Sequence, residues 1–136
     1  MVLTIDVSSP DPIYIQIRSQ IIAAIAMGEL DPGDELPSVR SLASDLGVNL
    51  HTVNKAYALL RDEGYLLMRG RAGAIVADRT FESVRRRGEA QDERMSDDLY
   101  HLALGHKARG GSEQGFLDEA ARQAHSVFGS LSKETR

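Results

Sequence analysis

The chain has 136 residues, 42% hydrophobic and 26% charged, the make-up of a soluble globular protein with either one compact domain and an appendage or one domain near the common size. It contains no cysteine, which excludes disulfides and thiolate metal sites and makes a reducing cytoplasm the expected compartment. The net charge of −4 argues mildly against a nucleic-acid partner, and the longest apolar run, residues 21–27, is far short of the roughly 20 needed to cross a bilayer. No basic-then-apolar leader opens the chain, so no secretory signal is expected.

The first element begins at Asp11-Pro12. Asp suits an N-cap, and Pro suits a first helical turn. Ile13, Ile17, Ile21 and Ile25 then recur every four residues, with Tyr14 and Ile22 beside them, and Gly28 is placed to end the helix. Pro32-Gly33 marks a turn that leads through Leu36-Pro37-Ser38 into a second helix. There Val39, Leu42, Ala43 and Leu46 stand at i, i+3, i+4 and i+7. After Gly47-Val48-Asn49 the same spacing returns with Val53, Ala56, Tyr57 and Leu60. Two short amphipathic helices joined by a glycine turn are the sequence form of a helix-turn-helix, whose second helix enters a DNA major groove. The isoleucine face of the first helix is expected to complete a three-helix core.

Past Gly64 the pattern becomes strand-like at residues 65–69 and 73–77, around Gly70-Arg71-Ala72-Gly73. Glycines at such a tip accept the positive φ of a tight hairpin, and Arg69 and Arg71 put charge where a wing could follow a phosphate backbone. Residues 36–77 hold five basic side chains (Arg40, Lys55, Arg61, Arg69, Arg71) against three acidic ones (Asp45, Asp62, Glu63), so this segment is +2 within an acidic chain. The expected fold is mainly α with a small β-hairpin wing: a winged helix-turn-helix over residues 10–78.

Residues 79–129 are expected to form a helical dimerisation region. Phe81, Val84, Gly88, Gln91, Met95, Leu99 and Leu102 step by about three and four, close to a heptad seam. Residues 105–115 hold four glycines and read as a turn or a loose connection. A last helix presents Leu117, Ala120, Ala121, Ala124 and Val127 on one side, and residues 130–136 are expected to be a disordered tail. Two such helices have little core of their own, so the same pair from a second subunit is the simplest partner. The predicted interface is Phe81, Val84, Met95, Leu99, Leu102, Leu117, Ala121 and Ala124. Arg85, Arg86 and Arg87 suggest a solvated helix face.

The strings Pro32-Gly33-Asp34-Glu35-Leu36-Pro37-Ser38-Val39-Arg40, Leu42-Ala43, Leu46-Gly47-Val48-Asn49, Thr52-Val53-Asn54-Lys55-Ala56-Tyr57, Leu60, Glu63-Gly64-Tyr65 and Arg69-Gly70-Arg71-Ala72-Gly73 resemble the GntR family of bacterial transcription regulators. The short two-helix tail looks like its YtrA subfamily. The resemblance implies DNA contacts from Arg40, from Asn49, His51 and Thr52 in the first turn of the recognition helix, from Asn54 and Lys55 just beyond, and from the wing at Gly70. Some relatives carry arginine where this chain has Leu50 and Asn54, so a guanine read there by arginine is not expected.

The residues support the same roles without the family. Asn49 suits a cap, and the free N–H groups behind it attract a phosphate. Thr52 can donate to phosphate, and Asn54 can pair bidentately with adenine. The expected partners are therefore double-stranded DNA carrying an inverted-repeat operator and a second copy of the chain, with no membrane. A small-molecule effector is left open, since no pocket for one is visible in the sequence. No cofactor and no enzyme activity are expected, because no nucleophile motif or phosphate loop appears. His101, His106 and His125 lie near Asp97, Asp98, Asp118 and Glu119, but no two of the histidines have the i, i+4 spacing of a recognised metal motif. The alternative is a winged-helix protein-interaction module, which would show more exposed apolar residues on the second helix than Leu50.

Overall fold

Of the chain, a computed structural model describes residues 1–70, 73–78 and 82–134, with backbone alone at 82–84 and 130–134. The elements are α1 (Ile13–Ala26), α2 (Val39–Leu46), α3 (Leu50–Asp62), β1 (Leu66–Met68), β2 (Ala74–Val76), α4 (Glu82–Ala108) and α5 (Glu113–Glu134). They fall into two compact units, Met1–Gly88 and Glu89–Arg136.

The first unit is a winged helix, and its hub is α3. Val53, Ala56, Tyr57 and Leu60, one stripe at helical spacing, are all buried against Ile17, Ile21 and Ala24 of α1 and Leu42 and Ala43 of α2. Both α1 and α2 pack on α3. The turn between α2 and α3 is set by Gly47, which lies in the left-handed region at φ 68° and lets Val48 N–H reach the Ala43 carbonyl. A side chain at Gly47 would meet open space but a strained backbone, so glycine is required there by conformation.

β1 and β2 pair antiparallel with Leu66 opposite Val76, Leu67 opposite Ile75 and Met68 opposite Ala74. The hairpin is not free-standing. Leu36 N–H donates to the Ala74 carbonyl, Val76 N–H to Asp34, and Gly33 N–H to Val76, so residues 33–36 form a third, bridge-like edge. The sequence shows this segment only as a turn.

Two further features differ from expectation. The N-cap of α1 is Pro12, not Asp11, whose carbonyl is instead held by the Gln16 amide. Residues 3–6, unassigned in the sequence, lie along α1. Gln20 accepts from Thr4 N–H and donates to its carbonyl, while Gln16 does the same for Asp6. Two glutamine amides one turn apart thus replace a neighbouring strand, and Leu3 and Ile5 pack on the core.

Arg18 of α1 and Glu63, the C-cap of α3, form a two-pronged ion pair in which Glu63 is only 8% exposed. Its hydrogen bonds to the Glu63 carboxylate raise the Arg18 pKa above the usual arginine value. Arg87, which the sequence places on a solvated face, donates to the Arg61 carbonyl at 2.9 Å and caps the C-terminal end of α3.

In the second unit, the turn or loose connection expected at 105–115 is a turn, shorter than that span. Gly105 lies inside α4 and Gly115 inside α5, because flanking residues satisfy the helical ladder and Ser112 Oγ accepts from Gly115 N–H at 3.0 Å. The His106 ring folds over this turn, 5.8 Å from Phe116 and with Nε2 3.0 Å from the Ser112 carbonyl. A Cβ at Gly111 would collide with that ring. α5 runs from Glu113 to Glu134. Among the described residues, α4 and α5 make few close approaches beyond the turn.

Candidate nucleic-acid interface

Because α3 is buried on one side only, its opposite side is fixed as a solvent face. Asn49, His51, Asn54 and Lys55 are exposed and Thr52 is half-buried at the flank. The Asn49 side chain accepts from His51 N–H at 2.7 Å, so the residue caps the helix as its type predicts. Leu50 is 38% exposed, one apolar residue on a polar surface. Arg40, the second residue of α2, is exposed, and among the described residues no carboxylate pairs with it. Lys55 also has no acidic partner among the described residues. Its Nζ sits 4.0 Å from the centre of the Tyr14 ring. Arg69 and Gly70 are exposed at the wing, with Gly70 at φ 51°. Arg71 lies outside the described residues.

Tyr57 is a site-building residue that the sequence reading leaves as packing. Its hydroxyl donates to the Pro37 carbonyl at 2.7 Å while its ring is 1% exposed. This bond ties α3 to the residue just before the Ser38 cap of α2, and so fixes where α2 and Arg40 begin. Burial pushes its pKa up to about 12 from 10. A raised folded-state value means that the folded state is favoured below pH 10 and loses this contribution as pH rises towards about 12. Tyr57→Phe is expected to destabilise the protein by about 1 kcal/mol at neutral pH and to reduce the alkaline loss of stability. Denaturant melts of both proteins at neutral and alkaline pH check this; parallel pH profiles would refute it.

The predicted interface residues of the tail are also exposed. Met95, Leu99, Leu102, Leu117, Ala121 and Ala124 all face solvent in the single chain, with Leu102 at 62%. Phe81 lies outside the described residues, as does the Val84 side chain. A cleft of about 620 Å³ opens between α4 and α5, lined by Leu99, Leu102, His106, Arg109, Phe116 and Ala120 among others. Among the described residues no group of three or more His, Asp or Glu could hold a metal ion, and no helix is long and apolar enough to cross a membrane.

This arrangement has clear counterparts among known proteins. Residues 13–76 match the family described as bacterial regulatory proteins, gntR family. The solved structure of YtrA from Sulfolobus acidocaldarius, a GntR-family transcription factor, is 40% identical, with a TM-score of 0.60 over 92% of this chain and 98% of that one. The chain belongs to the GntR family. Within it, the repressor YtrA of Bacillus subtilis is 45% identical over 74 residues, 54% of this chain and 57% of that protein. The AraR DNA-binding domain, solved in complex with operator ORX1, is 28% identical with a TM-score of 0.52, over 57% of this chain and 99% of that domain. The chain spans less than two thirds of the length of the curated GntR relatives it matches. The family is one of transcription regulators, and its winged helix is the fold described above.

Proposed function

We propose that this chain is a sequence-specific, cytoplasmic transcription repressor that binds operator DNA as a homodimer. The observation that carries the reading is the exposed face of α3, where Asn49, His51, Thr52, Asn54 and Lys55 stand opposite a fully buried stripe. A helix presented in this way fits a major groove, with Arg40 and the Arg69–Gly70 wing at its sides for the backbone. The operator-bound AraR domain and the repressor YtrA support the same assignment for a GntR-family chain.

The exposed faces of α4 and α5 support the dimer. Leu99, Leu102, Leu117 and Phe128 are large apolar side chains exposed on two helices that bury little against each other, and such a surface fits a protein partner. A second copy seated on these faces buries it. Two recognition helices related by a two-fold axis then read an inverted repeat with half-site centres about one helical turn, ~34–36 Å, apart.

Selection of bound sequences from a random duplex library, at near-physiological salt, is expected to enrich such a repeat. Failure to enrich any sequence with folded, dimeric protein would overturn the reading in favour of a protein-interaction module. On the enriched operator, Arg40→Ala and Thr52→Ala are each expected to weaken binding about tenfold, the loss of one backbone or base contact. Unchanged affinity for both variants in a titration at fixed salt would remove those two contacts from the interface.

A further inference from the structure

We infer that Tyr14 is a positioning residue for DNA contact: its ring holds the Lys55 ammonium in place at the edge of the recognition face. The inference rests on the reading that α3 binds DNA. Tyr14 lies in the first turn of α1 and is half-buried, so its ring is anchored by the packing of α1 on α3. Lys55 lies one turn beyond His51 on the exposed side of α3, and its Nζ is 4.0 Å from the Tyr14 ring centre.

The choice of partner matters. A carboxylate would also order the lysine, but it would cancel the charge that a phosphate needs. An aromatic face attracts the cation while leaving its net charge intact. An ammonium has three N–H donors, and the ring engages only one side of it, so the others remain open to a phosphate oxygen. No acidic side chain pairs with Lys55 among the described residues. A lysine already held in one region of space loses less rotamer freedom on contact than one that is free, so more of its Coulombic attraction appears as affinity.

The test uses a fluorescein-labelled duplex of mixed sequence at low salt, read by anisotropy, with wild type, Tyr14→Phe, Tyr14→Leu, Lys55→Ala and the Tyr14→Leu/Lys55→Ala double variant. Tyr14→Phe keeps the ring and is expected to bind within about twofold of wild type. Tyr14→Leu is expected to bind about three- to tenfold more weakly, with the salt dependence unchanged because the charge remains. Lys55→Ala is expected to lower the salt slope by about one per recognition helix. Adding Tyr14→Leu to Lys55→Ala is expected to cost nothing further.

An equal loss from Tyr14→Leu in both backgrounds would overturn the proposal, since Tyr14 would then act without Lys55. So would a Tyr14→Phe as weak as Tyr14→Leu, which would make the hydroxyl the contact. A Lys55→Ala protein with unchanged affinity and slope would remove Lys55 from the interface and the proposal with it, while leaving the rest of the face standing. Wild-type protein that binds no duplex would instead bring down the functional reading itself. One measurement needs no variant: the Lys55 side-chain methylene protons are expected upfield of ordinary lysine in the NMR spectrum of the free protein. Ordinary positions for them would also overturn the proposal.

Discussion

Leu99→Asp is expected to turn the protein into monomers and to weaken operator binding by about two to four orders of magnitude. Leu99 lines the cleft between α4 and α5 and is 43% exposed in the single chain. An aspartate there meets water in a monomer, so neither helix is damaged by the change itself. In the proposed dimer the same carboxylate would be taken out of water against Leu102, Phe116 and their counterparts, at a desolvation cost that the monomer does not bear. The cost in DNA binding arises because two linked half-sites give an affinity far above that of either alone, and the linkage is lost. Sedimentation velocity reports the mass, and anisotropy titration on the selected operator reports the affinity. A Leu99→Asp protein that remains dimeric would remove the proposed interface.

The second large effect is on stability. Arg18→Ala is expected to cost about 2–4 kcal/mol, because it leaves the Glu63 carboxylate enclosed and without its guanidinium. For a unit of this size that corresponds to a fall in Tm of roughly 10–30 °C. Arg18 is a quarter exposed, which keeps the figure below that of a wholly buried pair. The pair joins α1 to the C-terminal end of α3, so its loss loosens the packing of those two helices. The Arg18→Ala/Glu63→Ala double variant is expected to be less destabilised than the sum of the two single ones, since no charge is then stranded. Denaturant melts of the four proteins check this. A shift below about 0.5 kcal/mol for Arg18→Ala would mean that water solvates the carboxylate in place of the arginine.

The winged helix was legible because its signals are periodic and local. Ile17, Ile21, Leu42, Val53 and Leu60 repeat at helical spacing, and all are buried where that spacing puts them. Gly47 and the Gly70–Gly73 tip mark turns by residue type alone. What escaped the sequence depends on contacts between distant residues or on side chains that carry no periodicity. Gln16 and Gln20 read as ordinary polar helix positions, yet their amides bind the backbone of residues 4 and 6. Arg18 and Glu63 carry no mark of being partners. The pairing of Leu36 with Ala74 depends on how the hairpin folds back, which no local pattern records.

In the tail, glycine frequency marks a turn or loose connection across 105–115, and the structure has a turn there, in which only Gly110 is left-handed while Gly105 and Gly115 remain helical. In the recognition face, Asn49 could be read as a cap from its type and position. The pairing of Lys55 with Tyr14 could not, since it follows from the packing of α1 on α3.

The bridge between residues 33–36 and β2 also bears on how such a chain can change over evolutionary time. Adding or removing one residue between Leu30 and Leu36 would shift that ladder by one step, and a one-step shift exchanges the two faces of a strand. Leu36, now buried, would turn outward and Glu35 inward. The length of this connection is therefore constrained as tightly as a core position, although most of its residues face water. Changes of length are better absorbed elsewhere, and substitutions at Asp31, Pro32 or Glu35 are easier to accept than a single deletion among them.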